Sequence, residues 1–183
     1  YNFHYWDGDR KYGYGGYKYD GRWKLIAKKL IKKYNLNDKS KILDVGCGKG
    51  FLVYELSKLL NSKNVCGVDI SKYSINKAPK EIKKNLFVKD IRKNLRYRKN
   101  YFDLILSINL IHNFEIYDIK NFLENIIHIS KKSYISTESY RNEKELFNLQ
   151  CWALTAESFF SEKEWRWILK SNGYNRDFEL IYF

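Results

Sequence analysis

The stretch ILDVGCGKGF, residues 42–51, places three glycines directly after an apolar run that contains Asp44. A glycine-rich loop that follows a strand usually cradles a phosphate group. A triphosphate loop needs GxxxxGK followed by Ser or Thr, whereas here Gly46 is followed by Gly50 and then Phe51. A dinucleotide loop needs GxGxxG, and Gly50 comes one residue too early for it. The spacing therefore argues against both phosphate-binding loops.

Two acidic residues indicate what the loop holds instead. Asp44 precedes the glycines, where a carboxylate would lie close to a pyrophosphate and would suit a cationic or zwitterionic ligand. Asp69 ends the run NVCGVDI, about 20 residues after the loop, where an acid hydrogen-bonds ribose hydroxyls. S-adenosylmethionine, a nucleoside that carries a sulfonium, an ammonium and a carboxylate, fits these requirements.

The elements that must position these residues alternate along the chain. Strands are predicted at 41–45, 64–70, 85–90, 101–109, 132–139 and 177–183, and helices at 23–34, 51–60, 116–130 and 161–174. Such alternation predicts an α/β, Rossmann-like fold, with a mostly parallel open sheet, helices on both faces and an antiparallel last strand. Ligands of such sheets bind at the carboxyl ends of the strands. The strand at 101–109 is apolar almost throughout and is predicted to be central.

The ordered motifs LDVGCGKG, GVDIS, VKDI and FDLILSINLIHNF resemble the motif series of class I S-adenosylmethionine-dependent methyltransferases, over roughly residues 22–183. The resemblance implies that S-adenosylmethionine is the cofactor, that the product is S-adenosylhomocysteine and that no metal is needed. It also implies a methionine side lined by Asp44, Gly46, Cys47, Gly48 and Gly50, a ribose and adenine side formed by Asp69, Ile70, Asp90 and Ile91, and Ser107 and Asn109 near the methionine part.

Missing motifs narrow the class of methyl acceptor. The turn after the strand at 101–109 reads SINLIHNF, without the [DNS]PP[YFW] pattern of nucleobase amino methylases or a Pro-Cys nucleophile. Small-molecule O- or N-methyltransferases, some RNA ribose enzymes and protein methylases remain. A narrower resemblance, to bacterial enzymes encoded among capsule and surface-polysaccharide genes, implies a small anionic acceptor such as a nucleotide-activated sugar. The alternatives are an RNA methyltransferase and a non-catalytic cofactor-binding subunit.

Candidate catalytic residues follow the strands at 101–109 and 132–139. His112 has a suitable pKa for a general base near neutral pH, and Asn113 could orient the acceptor. Arg141 could bind an anionic group as a fork, or form a surface ion pair with Glu143 or Glu145. The tyrosine- and glycine-rich residues 1–22 are predicted to form a lid over a single domain at 23–183, in which Tyr14 and Tyr17 face the acceptor.

The composition of the chain limits how many domains it can form, where in the cell it can function and which partners it can bind. A chain of 183 residues suits one domain, and three cysteines without a CxxC spacing argue for the cytoplasm and against a disulfide framework or a zinc site. No apolar run approaches a membrane span and no signal peptide is recognised. The formal net charge of +13 makes nucleic acid a conceivable partner, but the lysines are spread along the chain. A monomer and a homodimer are equally compatible with these features.

Overall fold

The computed structural model describes residues 1–93 and 95–183, which include a six-stranded parallel sheet. The strands are β1 (Ile42–Val45), β2 (Val65–Asp69), β3 (Leu86–Val88), β4 (Leu104–Ile108), β5 (Ser133–Glu138) and β6 (Asp177–Ile181). Their spatial order is β3-β2-β1-β4-β5-β6. The predicted Rossmann-like, mostly parallel sheet is confirmed, and β4 lies between β1 and β5 as its apolar sequence predicts.

The prediction of an antiparallel last strand is wrong. Strand β6 pairs in parallel with β5, with Tyr134 opposite Asp177 and Glu138 opposite Ile181. Two helices, α6 (Glu143–Trp152) and α7 (Glu162–Ser171), lie between these strands in the chain. A parallel pair requires a connection that brings the chain back to the end of the sheet where β5 begins, and a connection of this length can do so.

Helices cover both faces of the sheet. The remaining ones are α1 (Phe3–Asp7), α2 (Trp23–Tyr34), α3 (Phe51–Leu60), α4 (Lys72–Asn76) and α5 (Ile116–Ile129). Helices α2, α3 and α4 pack on one face with Leu104 and Leu106 of β4, while α5 and α7 pack on the other with Ile105. Strand β4 is therefore buried on both faces, and its carboxyl end lies inside the molecule.

The amino-terminal segment packs against the carboxyl edge of the sheet. Trp6 of α1 is buried, and its indole Nε1 donates a hydrogen bond of 2.9 Å to the Ser71 hydroxyl. Lys49 Nζ, which is also buried, donates to Asp7 Oδ1 at 2.6 Å and to the Tyr17 carbonyl at 2.7 Å. These contacts attach residues 1–22 to the loops that follow β1 and β2. Among the described residues, no helix combines the length and apolar character that crossing a bilayer requires.

Candidate active site

A cavity of about 730 Å³ opens at the carboxyl ends of β1, β2 and β4, beneath the amino-terminal segment. Nine of the eleven predicted cofactor residues line it, namely Asp44, Gly46, Cys47, Gly48, Asp69, Ile70, Asp90, Ile91 and Asn109. The two others, Gly50 and Ser107, lie outside the lining. Gly50 is the N-cap residue directly before α3, and a Cβ there would meet Leu86 at 2.7 Å, so its position serves packing.

The glycine loop bends tightly into the cavity. Gly46 and Gly48 have φ angles of 72° and 55°, in the left-handed region that favours glycine. A Cβ on Gly46 would lie 2.8 Å from Leu110, and one on Gly48 would lie 2.8 Å from the ring of Trp6. The loop therefore needs glycine both for its backbone conformation and for the close approach of the covering side chains.

Asp44 is a buried carboxyl at the wall of the cavity. Burial, with a smaller contribution from the charge of Asp69, raises its pKa to about 8. Within the described part of the chain, no group donates a hydrogen bond to the Asp44 side chain. A buried carboxyl in this state is stabilised by a cationic group of a ligand. The ammonium group of S-adenosylmethionine is such a group, so Asp44 fits the methionine end of this cofactor.

Asp69, at the end of β2, fits the ribose. Its Oδ2 accepts the backbone N–H of Gly48 at 2.8 Å, and its Oδ1 accepts that of Ser71 at 2.7 Å. Burial raises the pKa of Asp69, while these two hydrogen bonds partly offset the rise. A carboxylate oxygen can accept more than one hydrogen bond, so both oxygens of Asp69 can also accept hydrogen bonds from the hydroxyl groups of a ligand.

Asp90 lies at the cavity wall but is held by Arg92. The guanidinium donates to both carboxylate oxygens at 2.9 Å, which holds the pKa of Asp90 below its usual range. Arg92 Nη1 also lies 3.2 Å from Asp118 Oδ2 on α5. The ion pair holds this edge of the cavity in place, and the adenine of the cofactor is predicted to lie along it.

The loop after β4 separates the two predicted catalytic residues there. Asn113 lines the cavity, whereas His112 is buried behind it and is absent from the lining. His112 Nδ1 is in contact with the carboxylate of Glu138, and His112 Nε2 lies 3.0 Å from Asn113 Nδ2. Both ring nitrogens are therefore engaged with protein groups, and a role of His112 as base stays a prediction.

Tyr14 and Tyr17 line the cavity, and Arg141 does not. Tyr14 stacks on Trp6 with ring centroids 5.3 Å apart, and burial is the largest cause of the raised pKa of both tyrosines. Arg141 is exposed and its guanidinium binds Glu145, with Nη2 2.5 Å from Oε1. The structure thus shows Arg141 in the surface ion pair that the sequence left open as its alternative.

Several lining residues were not singled out from the sequence. Tyr1, Tyr5, Trp6, Leu110, Arg92, Tyr134, Ser136, Trp152 and Glu179 also line the cavity. The many aromatic residues within 1–22 indicated that this segment packs on the domain. The sequence did not show that Tyr1, Tyr5 and Trp6 are the ones that line the cavity. No cluster of His, Cys, Asp or Glu suited to a metal ion occurs among residues 1–93 and 95–183.

Comparison with known proteins identifies the domain. Residues 36–173, about three quarters of the chain, match the family model described as a methyltransferase domain. A curated relative, malonyl-[acyl-carrier protein] O-methyltransferase of Bacillus anthracis, is 25% identical over an alignment of 154 residues that covers 76% of this chain and 56% of the relative. The chain thus spans little more than half the length of that relative.

Solved structures show the same fold. A protein of Pyrococcus horikoshii is 28% identical, with a TM-score of 0.52 over 61% of this chain and 52% of that one. An S-adenosylmethionine-dependent methyltransferase of Aquifex aeolicus is 22% identical, with a TM-score of 0.60 over 85% of this chain and 83% of that one. The family match, which covers most of the chain, shows that the chain belongs to the methyltransferase domain family.

Proposed function

We propose that this protein is an S-adenosylmethionine-dependent methyltransferase, and that it transfers the methyl group to a hydroxyl or amine of a small, anionic acceptor that binds in the same cavity as the cofactor. The observation that carries the proposal is the cover that residues 1–22 form over the cavity. Tyr5, Trp6, Tyr14 and Tyr17 all contribute to the lining, beside Asn113. A covered site excludes water and aligns small reactants, as an in-line displacement at a sulfonium requires.

The cavity has room beyond the residues that fit the cofactor. Its lining continues along a second region between α2 and the sheet, where Ile26, Lys29 and Lys33 face Tyr134 and Glu179. The Ser136 hydroxyl, 3.2 Å from Asn109 Oδ1, joins the two regions. From Ile26 to Lys33 the helix rises about 10 Å, which suits a small molecule or a short extended chain. We assign this region to the body of the acceptor.

The charges of the second region support an anionic acceptor. Lys29 forms no ion pair among the described residues, and Lys33 Nζ forms an ion pair with Asp177 Oδ2 at 3.1 Å. A nucleotide-activated sugar or another precursor of surface polysaccharides carries the negative charge that these lysines would bind. The malonyl group named for the curated relative is acidic as well, so a carboxylated acceptor is the second candidate.

An RNA acceptor is less well supported. The positive charge is spread over the chain, and the reacting region lies under a lid that would have to open for a nucleotide within a strand. A non-catalytic subunit would not need a covered acceptor region next to the cofactor. The cover over the cavity therefore favours a small acceptor over both alternatives.

Transfer of a labelled methyl group tests the proposal. The protein is incubated with methyl-labelled S-adenosylmethionine and, separately, with nucleotide sugars, a small-molecule cell extract and total RNA. We expect label in the small-molecule fractions, and none when Asp69→Ala replaces the ribose-binding carboxylate. Label in RNA, with binding that weakens steeply as salt increases, would show that the acceptor assignment is wrong.

A further inference from the structure

Glu138, the last residue of β5, carries a buried carboxylate with a single polar contact. The residue is 1% exposed, and its carboxylate meets His112 Nδ1 and no other polar group among the described residues. A buried carboxylate without a donor is strongly destabilising. Among the described residues, His112 Nδ1 is the group placed to offer this carboxylate a proton, and the contact therefore favours the Nδ1–H tautomer of the imidazole.

This tautomer determines how Asn113 is oriented. With Nδ1 protonated, Nε2 of the neutral ring is an acceptor, and it lies 3.0 Å from the Asn113 amide nitrogen. The same amide nitrogen donates to the Leu110 carbonyl at 3.2 Å, and Asn113 Oδ1 accepts the Thr155 hydroxyl at 2.7 Å. Both amide hydrogens are thus used, and Oδ1 keeps one lone pair free at the wall of the cavity.

Thr155 holds the same arrangement from the segment between α6 and α7. Its hydroxyl donates to Asn113 Oδ1 at 2.7 Å, and the backbone N–H groups of Glu157 and Ser158 donate to the His112 carbonyl at 2.9 and 3.0 Å. The loop that carries His112 and Asn113 is therefore held both by β5 and by the segment that follows α6.

We propose that Glu138 and His112 are positioning residues that hold Asn113 with its side-chain oxygen toward the methyl acceptor, and that Thr155 supports Asn113 in the same network. Asn113 has no hydrogen left to donate, so its oxygen selects an acceptor group that itself carries a hydrogen. A hydroxyl or an amine meets this condition, and an ionised carboxylate does not. This assignment rests on the proposed function for the identity of the acceptor.

The tautomer of His112 is the direct test, and it needs neither an acceptor nor a variant of the network. Long-range ¹H–¹⁵N spectra of the full chain are recorded at pH 7.5, with the signals of His4 and His128 identified by His4→Gln and His128→Gln. We expect a protonated Nδ1 and an unprotonated Nε2 for His112. A protonated Nε2 would overturn the proposal, because Asn113 could then not present its oxygen as described.

The chemical stability of the methylated product tests the selection of the acceptor. Methyl esters release methanol in alkali, whereas methyl ethers and methylated amines do not. Alkali-stable label in the product supports the role of Asn113, and alkali-labile label contradicts it. If the label appears in RNA instead, the proposed function fails, while the tautomer of His112 still decides whether the network exists.

Discussion

Asp44 links the chemistry of the cofactor to pH. Its folded-state pKa of about 8 is raised from 3.8, so the folded protein without ligand keeps a proton that the unfolded chain loses. Stability of the unliganded protein therefore falls as the pH rises from about 4 to about 8. A cationic ligand group beside Asp44 favours the ionised carboxylate and so offsets the loss of stability that ionisation of Asp44 causes in the folded protein.

The affinity for S-adenosylhomocysteine should accordingly rise with pH up to about 8, the pKa of Asp44. The increase is at most about tenfold for each pH unit, because one proton is released on binding. Calorimetry at pH 6, 7 and 8 measures it, and Asp44→Asn should bind more weakly without the pH dependence. An affinity that does not change with pH in the wild-type protein would contradict the placement of Asp44 at the ammonium group.

At the level of single residues, the sequence was informative where chemistry depends on local spacing. The positions of Asp44 and Asp69 relative to the glycines predicted that both lie at one site, and both line the cavity. Glu138 and Thr155 could not be assigned in this way, since their contacts with His112 and Asn113 join segments more than 20 residues apart. His112 has the right chemistry for a base, but only its burial showed that both nitrogens are occupied.

Among the elements, the amino-terminal segment is held in part by Lys49, which follows β1. Its ammonium group binds Asp7 and the Tyr17 carbonyl, and the side chain is 6% exposed. Replacing Lys49 by an uncharged side chain of similar length removes the cation beside Asp7 and leaves the Tyr73 hydroxyl, at 2.9 Å, as a side-chain donor to Asp7. The cover over the cavity would then open more often.

Lys49→Met should speed the dissociation of S-adenosylhomocysteine by roughly ten- to a hundredfold, since a charge-assisted hydrogen bond contributes about 1.5–3 kcal/mol. Stopped-flow tryptophan fluorescence measures the rate. Lys58→Met, which changes an exposed lysine of α3, is the matched control and should leave the rate unchanged. Equal rates for the two variants would mean that the segment does not retain the cofactor.

The elements that the sequence predicted best are those with a sustained pattern. The apolar run at 101–109 gave a central strand, and the Ser161–Glu164 capping box is present at the start of α7. Helix α6 was missed because it buries only Leu149 and so shows a weak apolar face. The direction of β6 was wrong because strand direction depends on the connection, which includes that missed helix.

At the scale of the whole molecule, the two faces of the sheet have different tasks. The face covered by α5 and α7 is closed by a large apolar core that includes Trp165 and Phe122. The face covered by α2 is polar toward β6, where Tyr134 and Glu179 line the second region of the cavity. We infer that one face supplies stability, and that the other leaves room for an acceptor beside the cofactor.

A crystal structure with bound S-adenosylhomocysteine tests the central claim most directly. We expect its amino-acid end beside Asp44, its ribose hydroxyls on Asp69, and its sulfur beneath Tyr14 and next to Asn113, with residues 1–22 closed over it. A ligand bound elsewhere, or an amino-terminal segment displaced from the cavity while the cofactor product is bound, would contradict the account.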